Sequence, residues 1–281
     1  MNALELIKKG SSELRQKKIA TFRLDSEILL SKVLNKKRED ILTNLDKKIC
    51  ANHASKYIDL IKRRSHNEPV AYICNEKEFW SKNFFVNNNT LIPRPETELM
   101  IEKLVQMFKD KKISILDIGT GSGCILISLL SELKNSKGVG IDISKNAVLI
   151  AKKNAKRFKM QQNIKFFKKP LASNFTQKYD LIVSNPPYIM SKDIKNLNDD
   201  IKKYEPRIAL DGGNDGLDLI KKVIYKTKNI LKIKGTLALE IGNEQNKKVS
   251  KILVNNNFKI KHAIKDYKDN VRCLISTYLN N

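Results

Sequence analysis

The stretch Ile115-Leu116-Asp117-Ile118-Gly119-Thr120-Gly121-Ser122-Gly123 passes from an apolar run into three glycines at alternate positions. The apolar run, Ile113 to Asp117, predicts a short strand, and Ser122 to Leu133 predicts a helix directly after it. Glycines between a strand and a helix let the backbone turn sharply and let a ligand approach without interference from Cβ atoms. The free N–H groups at the helix start can then serve an acceptor. Such a loop is a weak signal alone. Dinucleotide-binding folds carry a relative of it, and a tight turn with no ligand would use the same residues.

The next strand ends in Gly140-Ile141-Asp142, about 20 residues past the glycines, where an acid can take the hydroxyl pair of a ribose. Adenosylmethionine and NAD enzymes both place an acid there. Asp142 can equally cap the helix that starts near Ser144, so this residue does not decide between them.

The deciding feature lies further on. A strand ending Leu181-Ile182-Val183-Ser184 runs straight into Asn185-Pro186-Pro187-Tyr188. Two prolines cannot continue a ladder, so the chain stops at the carboxyl edge of the sheet, where open α/β sheets bind ligands. The Asn185 side-chain oxygen and a proline carbonyl are two acceptors, suited to both hydrogens of one NH₂ group. Tyr188 can stack on a flat amide or base. Together they would hold a nitrogen in line for group transfer, with no covalent intermediate.

Around these motifs, helix and strand alternate from Glu96 onward. Strands are expected at 113–117, 138–143, 164–167, 179–184, 236–241, 258–263 and 272–277. Helices are expected at 98–108, 122–133, 145–158, 217–231 and 245–255. Repeated strand–helix units imply an α/β fold with a mostly parallel sheet covered on both faces. The last two strands lack an intervening helix and predict an antiparallel hairpin at one edge. Before Glu68 only helical periodicity is present: Leu4, Ile7 and Leu14; Ile28, Leu29 and Val33; Tyr57, Ile58 and Ile61. A small helical bundle over residues 1–68 is the economical reading. Residues 69–95, with Phe79, Trp80, Phe84 and Phe85 around the turn-prone Ser81-Lys82-Asn83, predict a β-hairpin and a stiff proline-containing linker. Residues 96–281 form the expected catalytic domain.

Composition sets the class. A chain of 281 residues that is 41% hydrophobic can build a real core, and no apolar run is long enough to span a membrane. The start, MNALELIKKG, lacks the features of a secretory signal, so a cytoplasmic protein is expected. The four cysteines and three histidines are scattered without ligand spacing, so neither a disulfide framework nor a metal is expected. The net charge of +24 would attract nucleic acid. Its lysines occupy every segment, however, which is how a lysine-rich composition coats ordinary surfaces. Direct nucleic-acid binding is therefore not favoured.

Asn185-Pro186-Pro187-Tyr188 after the fourth strand resembles the amino-methyltransferases of adenine, guanine and glutamine amides. More of the chain resembles one branch, the HemK/PrmC family. The resemblance lies in Pro69-Val70-Ala71-Tyr72-Ile73, Lys77-Glu78-Phe79-Trp80, Leu91-Ile92-Pro93-Arg94-Pro95-Glu96-Thr97-Glu98 and Tyr204-Glu205-Pro206-Arg207. It continues through Asp215-Gly216-Leu217-Asp218, Leu239-Glu240-Ile241-Gly242 with Gln245, and Lys265-Asp266 with Arg272. That family methylates the glutamine of the GGQ loop in peptide chain release factors; a related branch acts on a ribosomal-protein glutamine.

The resemblance implies a class I S-adenosylmethionine-dependent methyltransferase, Rossmann-like, with a mostly parallel seven-stranded sheet. It implies release factors as protein substrate, docked by the helical domain, and S-adenosyl-L-methionine converted to S-adenosyl-L-homocysteine without a metal. Gly119, Thr120, Gly121, Ser122, Gly123, Asp142, Leu171 and Asn185 would bind the cofactor. Asn185, Pro186, Pro187 and Tyr188 would hold the glutamine, with Asn185, Pro186 and Tyr188 carrying catalysis. Phe84, Arg94 and Glu98 would help close the site. One departure stands out: where the family has Asp-Trp near the adenine, this chain reads Lys169-Pro170-Leu171-Ala172. Leu171 can cover the adenine face, but the polar contact is missing.

The alternatives are an amino-methyltransferase of DNA or ribosomal RNA, a binding module that keeps the fold without activity, and a nicotinamide dehydrogenase. No separate nucleic-acid-reading module supports the first, and no hydride-transfer acid or base supports the last.

Overall fold

The structure is a computed structural model that describes residues 1–279. Its chain forms two compact units, one made of Met1–Glu76 with Asn198–Tyr204, the other of Lys77–Leu197 and the chain from Glu205 on.

The first unit is helical: α1 (Ala3–Gln16), α2 (Phe22–Leu34), α3 (Arg38–Leu42), α4 (Ala51–Ser65) and α5 (Val70–Cys74). Asn2 caps α1 in a capping box, its side chain accepting the Glu5 N–H at 2.9 Å while Glu5 accepts the Asn2 N–H. Leu6, Leu14, Leu29, Leu30, Tyr57 and Ile61 form the core. Leu6, not Leu4, is the deeply buried residue of the first turn of the pattern. A buried ion pair, Asp25 to Arg64 at 2.7 Å, joins α2 to α4 inside this core. Part of the stretch expected as hairpin, Val70–Cys74, is instead a short helix after Pro69, a residue with the extended backbone that precedes a helix start.

The hairpin strands follow, β1 (Glu76–Phe79) and β2 (Lys82–Phe85), with the second unit starting at Lys77. The turn sits one residue earlier than its polar letters suggest. Trp80 and Ser81 both adopt positive φ, 50° and 53°, and Lys82 and Asn83 are strand residues. Glu98 makes this possible by accepting the Trp80 N–H at 2.9 Å, and Glu132 accepts the indole N–H at 2.9 Å. Then follow α6 (Pro95–Phe108), β3 (Ser114–Ile118), α7 (Cys124–Glu132), β4 (Lys137–Asp142), α8 (Lys145–Arg157), β5 (Ile164–Lys168) and β6 (Tyr179–Ser184). The short α9 (Asp199–Tyr204) belongs to the first unit, where the Tyr204 hydroxyl donates to His66 O at 3.0 Å. The chain closes with α10 (Asp218–Ile230), β7 (Leu231–Glu240), α11 (Asn246–Asn255), β8 (Phe258–Lys265) and β9 (Val271–Tyr278).

The seven-stranded sheet has the order β5-β4-β3-β6-β7-β9-β8, parallel except at β9, which pairs antiparallel with β7 and with β8. This is the expected Rossmann-like α/β sheet with its edge hairpin. The central strands β3 and β6 are mostly apolar and buried, as strands with helices on both faces are. α7 is apolar over most of its surface, with Ile125, Leu126, Ile127, Leu129 and Leu130 buried, as a helix sunk in the core must be. β7 starts earlier than expected because Lys232, Ile233 and Lys234 are exposed and read as loop. Among the described residues, no helix is long and apolar enough to cross a membrane.

Candidate active site

From β3 the chain fills the sheet first on one side, β4 and then β5, and then crosses to β6 on the other side. The carboxyl ends of β3 and β6 therefore flank a switch point, the usual ligand crevice of such sheets. A cavity of about 600 Å³ opens there, entirely within the second unit, and is large enough for a nucleoside-sized ligand.

Its floor is the glycine bend. Gly119, Gly121 and Gly123 take φ of 73°, 55° and 80°, values that cost an ordinary residue on the order of 1–2 kcal/mol. Beyond that shared strain they differ. A side-chain carbon on Gly119 or Gly121 would meet no atom within 4 Å, so these two glycines face open space. One on Gly123 would press on Phe166, Ala151 and Ile127. Gly123 thus serves packing and begins α7, while Gly119, Thr120, Gly121 and Ser122 line the cavity. The Gly119 and Thr120 N–H groups both donate to Ile141 O, at 2.9 and 3.0 Å, which pins the bend to β4. The Thr120 hydroxyl donates to Asp117 at 2.6 Å. Burial pushes that fully enclosed carboxyl up to about 7, against the pull of the Thr120 bond.

Asp142 closes the next side. One of its oxygens accepts the Gly121 N–H and the other the Ser144 N–H, each at 2.9 Å. The helix-capping role is taken by Ser144 itself, whose hydroxyl accepts the Ala147 N–H. Burial raises the Asp142 carboxyl above its usual range, and the N–H groups of Ser144, Gly121 and Ile143 oppose this. With about four lone-pair sites against these three N–H groups, the carboxylate keeps acceptor capacity toward the cavity. Leu171 and Pro170 supply an apolar wall. Lys169 turns its ammonium to Asn174 O at 2.7 Å and lies over the Phe175 ring.

On the β6 side, Ser184 donates to Ile118 O at 2.7 Å and holds the two strand ends together. Asn185, Pro186 and Pro187 follow on the cavity wall, so the turn and the glycine bend share one space. Asn185 Nδ2 donates to Thr97 Oγ1 at 3.4 Å, which leaves Oδ1 as the free end of the amide. Thr97 in turn donates to Glu240 at 2.5 Å. Tyr188 lies off the wall: its ring packs against the sheet core and its hydroxyl points at Glu240, 3.3 Å away. Gln245 holds the Tyr188 carbonyl at 3.0 Å, and Gly242 leaves room for the ring. Burial, first of all, and the nearby Glu240 raise the Tyr188 phenol far above its ordinary value.

Of the three residues expected to close the site, Arg94 lines the cavity. Its guanidinium pairs with Glu205 at 2.5 Å, and Glu205 also accepts the Ile92 N–H at 3.1 Å, so a nearly enclosed carboxylate ties down the 87–94 strap. Phe84 is fully buried between Phe79 and Phe158, and Glu98 serves the hairpin turn.

Sequence reasoning assigned no role to Thr97, Glu240 or Asn154. Asn154, buried on α8, donates to Phe85 O and to Ser122 O and accepts the Phe85 N–H, all between 2.8 and 3.0 Å. It joins the hairpin to the glycine bend. A lone Asn in a helix carries no such signal. Thr97 lies in the Leu91–Glu98 run and Glu240 in Leu239-Glu240-Ile241-Gly242, both of which resemble the HemK/PrmC family.

Comparison with known proteins places these features among methyltransferases. Residues 5–74 match the PrmC N-terminal domain and residues 95–203 the methyltransferase small domain. The chain is similar to the release factor glutamine methyltransferase of Buchnera aphidicola subsp. Schizaphis graminum, 41% identical over 250 residues, 89% of this chain and 90% of that one. It is 38% identical to the protein of that name from Clostridium botulinum over 266 residues, 93% of this chain and 94% of the relative. Against the bifunctional methyltransferases of Rickettsia felis and Rickettsia conorii, both 33% identical, it spans 58% of the relatives' length. The hMettl16 catalytic domain, solved with the MAT2A 3'UTR hairpin 6, shares the fold. Its TM-score is 0.60 over 90% of this chain and 93% of that one, at 16% identity.

Proposed function

Because this chain belongs to the release factor glutamine methyltransferase family, we propose that it methylates the amide nitrogen of a release factor's GGQ glutamine, taking the methyl from S-adenosyl-L-methionine. The residues present fit that donor. Two glycines face open space at the bend, an acid with spare acceptor capacity stands beside them, and Leu171 offers an apolar wall. When bound, S-adenosylmethionine supplies an electrophilic methyl on sulfur. Gly119 to Ser122 would cradle it, Asp142 would take the ribose hydroxyls, and Leu171 would cover the adenine.

The rest is the work of the turn. A glutamine amide is a weak nucleophile because its nitrogen lone pair is delocalised into the carbonyl. Asn185 Oδ1 and the Pro186 carbonyl each accept one N–H, which raises electron density on that nitrogen and fixes its direction. The Pro186-Pro187 pair keeps these acceptors from relaxing toward each other. Rate enhancement comes from orientation and preset dipoles. No side chain need act as base, since methylation makes the nitrogen strongly acidic and its proton leaves to water. The helical unit docks the release factor, and the setting is the cytoplasm, where such substrates act.

One observation carries this reading: the tether of Asn185 Nδ2 to Thr97 leaves an oxygen for the cavity that also holds the glycine bend. Transfer of a tritiated methyl group to a release factor, run beside DNA and ribosomal RNA, tests it. Label is expected in the protein; label in nucleic acid alone would contradict it.

A further inference from the structure

Thr97 Oγ1 stands between Glu240 and Asn185, donating to the first at 2.5 Å and accepting from the second at 3.4 Å. A hydroxyl has one proton, and a carboxylate can only accept. While Glu240 is ionised, Thr97 must spend its proton there, and its oxygen is left as an acceptor. Only the NH₂ end of the Asn185 amide can then face Thr97, so the oxygen end faces the cavity. A protonated Glu240 reverses this polarity. The acid donates to Thr97, the Thr97 hydroxyl turns toward Asn185, and the amide rotates its NH₂ into the cavity. Donors would then face the substrate's own donors.

We propose that Glu240, acting through Thr97, is a positioning residue whose charge fixes which end of the Asn185 amide meets the substrate nitrogen. The proposal rests on the methyltransferase reading above. Glu240 is only 3% exposed. It is faced by Glu96 from α6, Arg272 and the buried Cys273 from β9, Tyr188 from the turn, and Cys124 at the start of α7. Burial pushes its carboxyl up to about 7; Glu96 adds to the rise, while the bonds from Thr97 and Tyr188 and the charge of Arg272 oppose it. The switch therefore lies in the neutral range. Tyr188 lies on the other Glu240 oxygen, at 3.3 Å.

The test is the pH dependence of kcat/KM for a release factor, between about pH 6 and about pH 9, with adenosylmethionine affinity measured alongside. Wild-type activity is expected to fall as pH drops through neutrality while donor affinity holds. Glu240→Gln should be slower and lose that pH dependence. Thr97→Val should lower kcat by about tenfold or more, the size of one misdirected hydrogen bond, and Thr97→Ser should restore much of the loss. Circular dichroism checks that each variant is folded. A wild-type slope retained in Glu240→Gln, or a Thr97→Val rate equal to wild type, overturns the proposal. Absence of any transfer by the wild type overturns the substrate reading along with it.

Discussion

The backbone N–H of Gly121 donates to Asp142 at 2.9 Å, so the acid at the end of β4 fastens the bend at the end of β3. One side chain thus serves two ends. It sets the shape of the glycine floor and keeps lone pairs for a ligand lying on it. Losing it removes both the contact and the surface that makes the contact useful.

Asp142→Ala is accordingly expected to weaken adenosylmethionine binding by about 1.5–3 kcal/mol, the usual worth of a hydrogen bond to a charged group. Calorimetric titration measures it. An unchanged affinity would remove Asp142 from the binding site.

Asn185→Ala should lower turnover by on the order of 10²–10³, as loss of a preset polar group in a reaction site commonly does. Tyr188→Phe should be mild, because the hydroxyl sits off the cavity wall and at a long 3.3 Å from Glu240. Steady-state kinetics on both variants distinguishes the roles, and a near-normal rate for Asn185→Ala contradicts the assignment.

Asp117 makes a pH prediction. Burial holds its folded-state carboxyl at about 7, above the ordinary 3.8. The folded protein therefore keeps a proton that the unfolded chain has released. This stabilisation is complete below the unfolded value and is lost as pH rises through about 7. Thermal unfolding of Asp117→Asn against wild type should show a difference that shifts in the variant's favour as pH rises. Parallel curves would contradict it.

Asn154→Ala strips partners from the Phe85 N–H, the Phe85 carbonyl and the Ser122 carbonyl. A loss of about 3 kcal/mol is expected from such buried unpaired groups, together with weaker donor binding because Ser122 belongs to the bend. Chemical denaturation with and without adenosylmethionine measures both. A variant as stable as wild type would show that the three bonds are dispensable.

The alternation of strand and helix was legible because each element carries its own period. Tyr179–Ser184 was read residue for residue, since an apolar run stops at two prolines. The hairpin turn was not, because an aromatic at positive φ contradicts local preference and is held by Glu98, 18 residues away. The stretch between β6 and α10 was also missed; its short helix and 3-10 turns at Ile194–Asn196 and Arg207–Ala209 carry no period. At the site, the glycine bend, Asp142 and Asn185 to Pro187 were legible as short local motifs on the cavity wall, while Asn89, Ser191, Asp218 and Lys222 of the same wall were not. The residues that hold these motifs were not either: Thr97 and Glu240 are 143 positions apart, and Asn185 and Thr97 are 88. Tyr188 shows the same limit. Adjacency in sequence suggested a stacking partner at the wall, whereas the chain direction after two prolines turns its ring toward the sheet core.

Tandem mass spectrometry of a release factor after incubation with the enzyme and S-adenosylmethionine tests the central claim most directly. One methyl group is predicted on the side-chain nitrogen of the GGQ glutamine, absent when Asn185→Ala replaces the wild type. A methyl found elsewhere on the factor, or placed equally well by that variant, would contradict the role given to the turn.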